Sequence, residues 1–311
     1  MADHLSGKVV VVTGGARGVG RAVAEAVSEQ GAAVVINDLG GALDGTGRDS
    51  TPAREAAAEI VSRGGRAHAN ADTVATMEGA RNLVAEALAA FGRLDAIVMC
   101  AGNSSTAPFW EMSEAQWDSL ISVHLKGHFA CTRAAAAPMM AQKSGRIIHI
   151  TSHVGLYGHP EAANYAAAKA GITGLTRSAA QALGPFGITV NAIAPSAISR
   201  MSDTVAAPIL RERAAARGIP LAPDLSDDEV RLKLIGDPRG VGNFAAYLCG
   251  DDASHVNGEV FAVIGGHIGR FAPWNEAATL DTDSFWSVEA LREAAPSALF
   301  AGLVNPAPPS A

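Results

Sequence analysis

Cysteine and positive charge are both scarce in this sequence. Its three cysteines, Cys100, Cys131 and Cys249, are odd in number and lie in core-like contexts, so they offer no disulfide framework and fit a reducing cytoplasm. Lysine and arginine together number 24 against 31 aspartates and glutamates, which gives a formal charge of −7. No predicted helix carries a basic stripe either, so a nucleic acid is not an expected partner.

Long apolar runs are missing as well. No segment approaches the roughly 18 uninterrupted apolar residues that a membrane-spanning helix needs, so no membrane partner is expected. The first residues, Met1-Ala2-Asp3-His4, have neither the basic start nor the apolar run of a signal peptide. The final Pro-Ser-Ala differs from the Ser-Lys-Leu form of a peroxisomal address. We therefore expect a cytoplasmic protein, and we predict no metal site.

The composition instead suits a large packed core, because 48% of the residues are hydrophobic and only 18% are charged. Strand-like and helical stretches alternate along the chain. The strand-like runs are 9–12, 33–36, 66–70, 94–100, 146–151, 189–194 and 260–264, and the main helical stretches are 49–63, 77–91, 114–141 and 165–183. This alternation predicts an α/β fold of βαβ units with right-handed crossovers. Ligands then bind beyond the carboxyl ends of the strands.

A glycine-rich turn follows the first strand-like run. The run Val9-Val10-Val11-Val12 suits a strand buried on both faces of a parallel sheet, and a helical pattern starts at Arg21. Glycines in such a turn let the backbone approach a pyrophosphate, and the helix N-terminus presents N–H groups to it. The alternative is an ordinary tight turn. The predicted cofactor-binding residues of the turn are Gly14, Arg17, Gly18, Val19 and Gly20.

Asp38 indicates which dinucleotide is bound. It ends the second strand-like run, 18 residues after Gly20, near the spacing of about 20 expected for an acid that binds the adenosine ribose hydroxyls. A carboxylate there would repel the additional phosphate of NADP. Arg17 argues in the other direction, because an arginine in this turn can reach a phosphate. We predict NAD, since Asp38 should lie against the ribose whereas Arg17 can swing into solvent.

Tyr165 and Lys169 form the most informative pair in the chain. Four residues apart on a helix, they share one face. A phenol ionises near pH 10, and a nearby ammonium is expected to lower that pKa. Ser152, 13 residues before the tyrosine, can bind the oxygen whose proton is moved. The pattern predicts proton transfer from an alcohol or to a ketone, although an isolated Tyr-x-x-x-Lys also occurs on ordinary surfaces.

Together these motifs resemble those of short-chain dehydrogenases/reductases over roughly residues 5–269. The motifs are the turn from Thr13 to Gly20, Asp72, Cys100-Ala101-Gly102, Ser152, Tyr165 with Lys169, and Pro195. The resemblance implies one Rossmann-type doubly wound domain over residues 1–270, with a parallel sheet of about seven strands and helices on both faces. It also implies hydride transfer to or from a nicotinamide ring. The further cofactor contacts that it implies are Asp72, Thr73, Cys100, Ala101, Gly102, Tyr165, Lys169, Pro195 and Ile198. Asp72 is expected to accept from the adenine amino group, with a helix N-cap as the alternative.

Two departures from the common family pattern narrow the resemblance. Met99-Cys100-Ala101-Gly102 replaces the usual Asn-Asn-Ala-Gly, and His124 replaces the usual catalytic asparagine. A histidine there is similar to the (3R)-hydroxyacyl-CoA dehydrogenase part of peroxisomal multifunctional enzymes, which are 17β-hydroxysteroid dehydrogenase-like. His124 is therefore predicted to be catalytic, holding the water or carbonyl that positions Lys169. The alternative is a packed helix histidine.

Two segments lie outside the regular core. Residues 199–237 follow the sixth strand, where the family has a mobile substrate lid; an exposed helical excursion is the alternative. Residues 271–311 contain five tryptophan and phenylalanine residues. We expect this C-terminal extension to pack on its own domain or on a neighbouring subunit, with residues 306–311 disordered.

We therefore predict an NAD-dependent oxidoreductase that interconverts a secondary alcohol and a ketone by Tyr/Lys/Ser-assisted hydride transfer. The expected substrate is a small molecule, either a 3-hydroxyacyl-CoA or a steroid-like alcohol. A 3-oxoacyl thioester reductase, or a dehydrogenase of another alcohol, is the alternative enzyme. A catalytically silent dinucleotide-binding sensor is the alternative from another class. The resemblance further implies a homodimer or homotetramer.

Overall fold

A computed structural model describes residues 3–198, 206–216 and 218–303 of the chain. Eight strands in these ranges form one sheet. They are β1 Val9–Thr13, β2 Ala33–Asn37, β3 Arg66–Asn70, β4 Ala96–Met99, β5 Gly145–Ile150, β6 Ile188–Ser196, β7 Val260–Ile264 and β8 His267–Arg270. Their order is β3-β2-β1-β4-β5-β6-β7-β8. The first seven pair in parallel, which confirms the predicted sheet, and β8 adds an antiparallel edge.

Helices cover both faces of the sheet. They are α1 Gly18–Glu29, α2 Thr51–Ser62, α3 Met77–Phe91, α4 Glu114–Ile121, α5 Gly127–Gln142, α6 His153–Tyr157, α7 Ala163–Leu183, α8 Ala207–Ala216, α9 Asp227–Leu234, α10 Pro238–Cys249 and α11 Val288–Ala298. Val10 and Val12 of β1 point into one core with α1, α2 and α10, whereas Val11 points into the other, with α3 and α5. The unbroken valine run is thus explained by burial on both faces.

The connections place a crevice at the carboxyl ends of β1 and β4. From β1 the chain proceeds outward to β2 and β3, and then crosses to β4 on the other side of β1. Such a reversal leaves adjacent strands with connections that diverge, which opens a ligand site. Thr13 closes the floor of the crevice, because its carbonyl accepts from Cys100 N at 3.1 Å and its Oγ1 accepts from Ala101 N at 3.2 Å.

The chain divides into two compact units, one ending at Phe271 and one starting at Ala272. Within the first, α8 and α9 share a small core of Leu210, Val230 and Ile235. Residues 199–205 and 217 of the predicted lid lie outside the described residues, as do residues 306–311. The second unit contains α11. What it packs against stays a prediction. None of the helices in the described ranges is long and apolar enough to cross a membrane.

Candidate active site

The glycine turn lies at the mouth of the crevice. Helix α1 begins at Gly18, and its N-cap residue Arg17 makes no side-chain hydrogen bond to the first turn. The first N–H groups of a helix have no intrahelical partner. Gly20 allows the turn to close tightly, because a Cβ there would lie 2.1 Å from the Gly14 carbonyl oxygen. All five predicted residues of the turn line one continuous cavity of about 460 Å³, within the range of small-molecule sites.

Asp38 lies in the same cavity, just past the end of β2. Its Oδ2 accepts from Ala16 N at 3.2 Å and its Oδ1 accepts from Gly40 N at 2.8 Å. The bond from Ala16 holds the carboxylate against the glycine turn, and the bond from Gly40 fixes it to the segment that follows β2. Arg17 also lines the cavity, and its guanidinium is one of the smaller influences that lower the pKa of the exposed Asp49, after the hydrogen bonds from Thr51.

A network of amides orients the Asp72 end of the cavity. Asn70 Nδ2 donates to Asp72 Oδ2 at 2.9 Å, and Asn37 Nδ2 donates to Asn70 Oδ1 at 2.7 Å and to the Asp72 carbonyl at 2.8 Å. Asp72 and Thr73 both line the cavity. Asp72 is not a helix cap, because the N-cap of α3 is Thr76. Asn37 and Asn70 were not predicted as site residues, because in the sequence they look like ordinary residues at the ends of strands.

Ser152, Tyr165 and Lys169, the predicted catalytic residues, line the same cavity. Ser152 is the N-cap of α6, and its hydroxyl accepts from Val154 N at 3.1 Å. The same hydroxyl is near enough to the Tyr165 phenol to lower the pKa of that phenol. Helix α7 presents Tyr165 and Lys169 on one face. The Lys169 ammonium lies 5.4 Å from the centre of the Tyr165 ring and donates to the Ile150 carbonyl at 2.7 Å.

The pKa of Tyr165 differs from the predicted direction. Burial raises it above 10, and the hydrogen bond from Ser152 offsets only part of that rise. Lys169 is 3% exposed, and burial lowers its pKa from 10.5 to about 7. The buried lysine is therefore a weaker positive charge than the sequence suggested, and its nitrogen is directed to a carbonyl. The protein's own groups thus favour the protonated phenol.

His124 lies in a π-helical turn, Ser122–Lys126, between α4 and α5. Burial and the Lys169 charge lower its pKa to about 3, so the imidazole is neutral. Its Nε2 lies 2.9 Å from the Asn103 carbonyl oxygen and 3.2 Å from the Asn103 nitrogen, and its ring meets the Tyr165 ring edge-on at 5.3 Å. The carbonyl that holds Lys169 belongs to Ile150. His124 therefore anchors the Asn103 backbone beside the tyrosine, and its predicted role in positioning Lys169 stays a prediction.

Gly102 explains how this histidine fits. A Cβ at Gly102 would lie 2.5 Å from His124 Cε1, so the backbone rests directly on the imidazole. His124 Nδ1 is buried without a hydrogen-bond partner among the described residues. A packed-histidine interpretation accounts for Nε2 and leaves Nδ1 unexplained.

Of the remaining predicted cofactor contacts, four line the cavity and Ile198 does not. Cys100, Ala101, Gly102 and Pro195 line the cavity. The Cys100 thiol stays protonated, because burial raises its pKa to about 12. Ile198 does not line the cavity; it packs against the core shared by α8 and α9, and its N–H donates to Gly236 O at 2.9 Å. Asn103 also lines the cavity, and no sequence motif had singled it out.

These residues fit a dinucleotide. A cradle that excludes side chains, uncapped helix N–H groups and an oriented carboxylate line a single cavity. The cradle and the N–H groups suit a pyrophosphate, and the carboxylate suits a ribose diol. No group of three or more metal-ligating side chains was found among the described residues.

Comparison with known proteins gives concordant results. The short chain dehydrogenase family model matches residues 8–207. Hydroxyacyl-CoA dehydrogenase ChsB1 of Mycobacterium tuberculosis is 38% identical over 86% of this chain and 81% of its own. Mouse peroxisomal multifunctional enzyme type 2 is 40% identical over 86% of this chain but only 33% of its own length. A 3-oxoacyl-(acyl-carrier-protein) reductase of Staphylococcus epidermidis is 35% identical over 83% of this chain and 98% of its own.

A solved structure agrees at the level of the fold. A short chain dehydrogenase from Mycobacterium avium superposes with a TM-score of 0.76 at 35% identity, covering 92% of both chains. Members of this family are oxidoreductases that act on CH–OH groups of small molecules with NAD or NADP. With the Ser152, Tyr165 and Lys169 cluster and the glycine cradle in one cavity, the chain belongs to the short-chain dehydrogenase family.

Proposed function

We propose that this protein is an NAD-dependent dehydrogenase that interconverts a 3-hydroxyacyl thioester, such as a 3-hydroxyacyl-CoA, and its ketone. One observation carries the proposal: Asp38, which follows β2, and the cluster of Ser152, Tyr165 and Lys169 beside β5 line the same cavity. The similarity to ChsB1 and to the multifunctional enzyme supports the substrate class. A steroid-like alcohol is the other substrate to include in assays.

The catalytic roles follow from the contacts of each side chain. The Ser152 hydroxyl and the nearby Tyr165 phenol both line the cavity, so both can hold one substrate oxygen. Tyr165 donates its proton to that oxygen in reduction and takes it back in oxidation. Lys169 lies 5.4 Å from the ring, and its protonated, positively charged form stabilises the phenolate. The nicotinamide ring supplies or accepts the hydride when the dinucleotide is bound. His124 holds the Gly102–Asn103 backbone beside the phenol.

The dinucleotide should be NAD, because the Asp38 carboxylate lies where a 2′-phosphate would bring a second negative charge. We expect wild-type kcat/KM to be higher with NAD than with NADP. Asp38→Ser should lower kcat/KM for NAD roughly tenfold, as expected for loss of a charge-assisted hydrogen bond, and should reduce the preference for NAD over NADP. Steady-state rates with both dinucleotides measure this. Asp118→Ser, on an exposed position of α4, is the control, and a wild-type preference for NADP would show that Arg17 outweighs Asp38.

The activity is tested with a panel of alcohols whose oxidation is followed by NADH absorbance. We expect 3-hydroxyacyl-CoA substrates to give the highest kcat/KM, ahead of steroid alcohols and simple secondary alcohols. Turnover of an unrelated alcohol alone would overturn the substrate class. Dinucleotide binding without turnover of any alcohol or ketone would instead indicate the silent sensor.

Reduction of a 3-oxoacyl thioester is the second candidate. Burial raises the pKa of Tyr165, and the resulting protonated phenol is the form that gives a proton to a ketone. The similarity to a 3-oxoacyl reductase over nearly that protein's full length points the same way. Initial rates in both directions, measured on one alcohol–ketone pair with both dinucleotides, distinguish the two candidates.

Four further proposals concern the location, the assembly and two segments of the chain. They are the cytoplasmic location, assembly as a homodimer or homotetramer, the substrate lid within 199–237, and packing of the 271–311 extension. Size-exclusion chromatography with light scattering of the full chain tests the oligomer.

A further inference from the structure

The loop between β2 and α2 is folded into a compact shape. Asp49 N donates to the Leu39 carbonyl at 2.9 Å and closes the base of residues 39–49, which we call the 39–49 loop. At its tip, Ala42 N donates to the Thr46 carbonyl at 2.8 Å, and the Asp44 carboxylate accepts from Thr46 Oγ1 at 2.7 Å. A closed loop of this length and internal bonding is typical of a functional surface loop. Five of its residues line the dinucleotide cavity: Leu39, Gly41, Ala42, Leu43 and Gly45.

The tip of this loop is held by the segment that follows β4. Asn103 Nδ2 donates to the Asp44 carbonyl at 3.3 Å, and Ser104 N donates to the Leu43 carbonyl at 2.8 Å. Gly45 packs against the same amide, because a Cβ on Gly45 would lie 2.8 Å from Asn103 Nδ2. The loop therefore leaves the sheet at β2, passes over the end of β1 and is fastened beside β4.

Asn103 uses its backbone and its side chain for different partners. Its N–H and carbonyl both lie against His124 Nε2, whereas its side-chain nitrogen binds the loop and Ser119 Oγ, the latter at 3.0 Å. The side chain is 2% exposed, and its Oδ1 has no hydrogen-bond partner among the described residues. A buried acceptor of this kind normally has a partner. Asn103 lines the cavity, where a ligand hydroxyl or amide is able to donate a hydrogen bond to Oδ1.

We propose that Asn103 is a positioning residue that holds the 39–49 loop over the bound dinucleotide and so sets the rate at which the dinucleotide leaves. The proposal rests on the dinucleotide-binding part of the proposed function and is independent of the substrate. The loop forms a wall of the cavity on the adenosine side, next to Asp38, and Asn103 ties that wall to the backbone beside Tyr165. Release of the dinucleotide then requires the loop to detach from Asn103.

Asn103→Ala separates the two functions of this residue, because the backbone contacts to His124 remain. We expect dissociation of NADH, followed by stopped-flow fluorescence on the full chain, to be roughly fivefold faster, as for loss of one or two hydrogen bonds. The rate of single-turnover hydride transfer should change by a smaller factor than the rate of NADH dissociation. Asn103→Asp should also release NADH faster, since a carboxylate cannot donate to the Asp44 carbonyl. Ser119→Ala, which leaves the Asp44 bond intact, is the control and should behave as wild type.

Gly45→Ala provides an independent test from the loop side. The added methyl group meets the Asn103 side chain and strains the left-handed backbone at Gly45, so this variant should loosen the loop and release NADH faster in both the wild-type and the Asn103→Ala background. Hydrogen exchange should increase in residues 39–49 and not in α1 in both single variants. Should Asn103→Ala fail to fold, Gly45→Ala and Asn103→Asp still decide the question.

The outcomes distinguish the inference from the proposed function. A wild-type protein that binds neither NADH nor NADPH would overturn the proposed function. Normal binding with unchanged release rates in Asn103→Ala and Gly45→Ala would overturn the role of Asn103 alone. A lower unfolding temperature with an unchanged release rate would leave Asn103 as a purely structural residue, and would equally contradict the proposal.

Discussion

Tyr165→Phe should lower kcat by roughly 10²- to 10⁴-fold, the usual contribution of general acid–base catalysis. The phenylalanine ring keeps the edge-on contact with His124 and loses only the hydroxyl near Ser152. Dinucleotide affinity should stay within about twofold of wild type, because the glycine turn and Asp38 are untouched. Steady-state kinetics and fluorescence titration with NADH measure the two quantities.

The matched control is Tyr157→Phe. Tyr157 is 76% exposed at the end of α6, a few residues from Ser152, so its hydroxyl should contribute nothing to turnover. Unchanged turnover in Tyr165→Phe would remove this residue from the mechanism.

The rate of alcohol oxidation by the wild type should increase with rising pH, since burial raises the pKa of Tyr165 and leaves the phenol protonated near neutrality.

Lys169→Met should reduce turnover by roughly 10² and at the same time stabilise the protein near neutral pH. The pKa of Lys169 falls from 10.5 in the exposed reference to about 7 in the fold. Between these values the unfolded chain binds a proton at Lys169 that the folded chain does not, so the contribution of Lys169 to wild-type stability rises with pH from about 7 to about 10.5 and is constant below 7. Methionine removes this cost but leaves the Ile150 carbonyl unpaired. The net gain near pH 7 should be roughly 1–3 kcal/mol.

Chemical unfolding of both proteins between pH 6 and pH 10 measures the effect. The free energy of unfolding of the variant minus that of the wild type should fall as pH rises above about 7, by at most roughly 1.4 kcal/mol per pH unit. Lys126→Met removes the same charge from an exposed position and serves as the control. A difference that is constant over this range would mean that Lys169 is as easily protonated in the fold as in water. Such a lysine would be a stronger partner for the phenolate than the structure indicates.

The main features of the sheet and of the catalytic face could be predicted from neighbouring residues alone. The valine run became β1, and the helix predicted from Tyr165 became α7, starting two residues earlier at Ala163. Unbroken apolar runs and the 3.6-residue helical period are local properties, so they can be recognised without knowledge of the fold. The same locality explains one error. The single helix predicted over 114–141 is interrupted by the π-helical turn at His124, which leaves the hydrophobic spacing nearly unchanged.

By itself, the sequence determined which residue types face the cavity, because the motifs that carry them follow strand ends that any parallel sheet brings to one edge. Only the tertiary structure decided how those groups behave. Burial sets the pKa of Tyr165 and Lys169, and burial depends on elements far apart in the chain. Asn103 lies 59 residues from Asp44, and no local pattern records that pairing. Side-chain charge and loop attachment are consequences of packing, so they appear only when the sheet and helices are assembled.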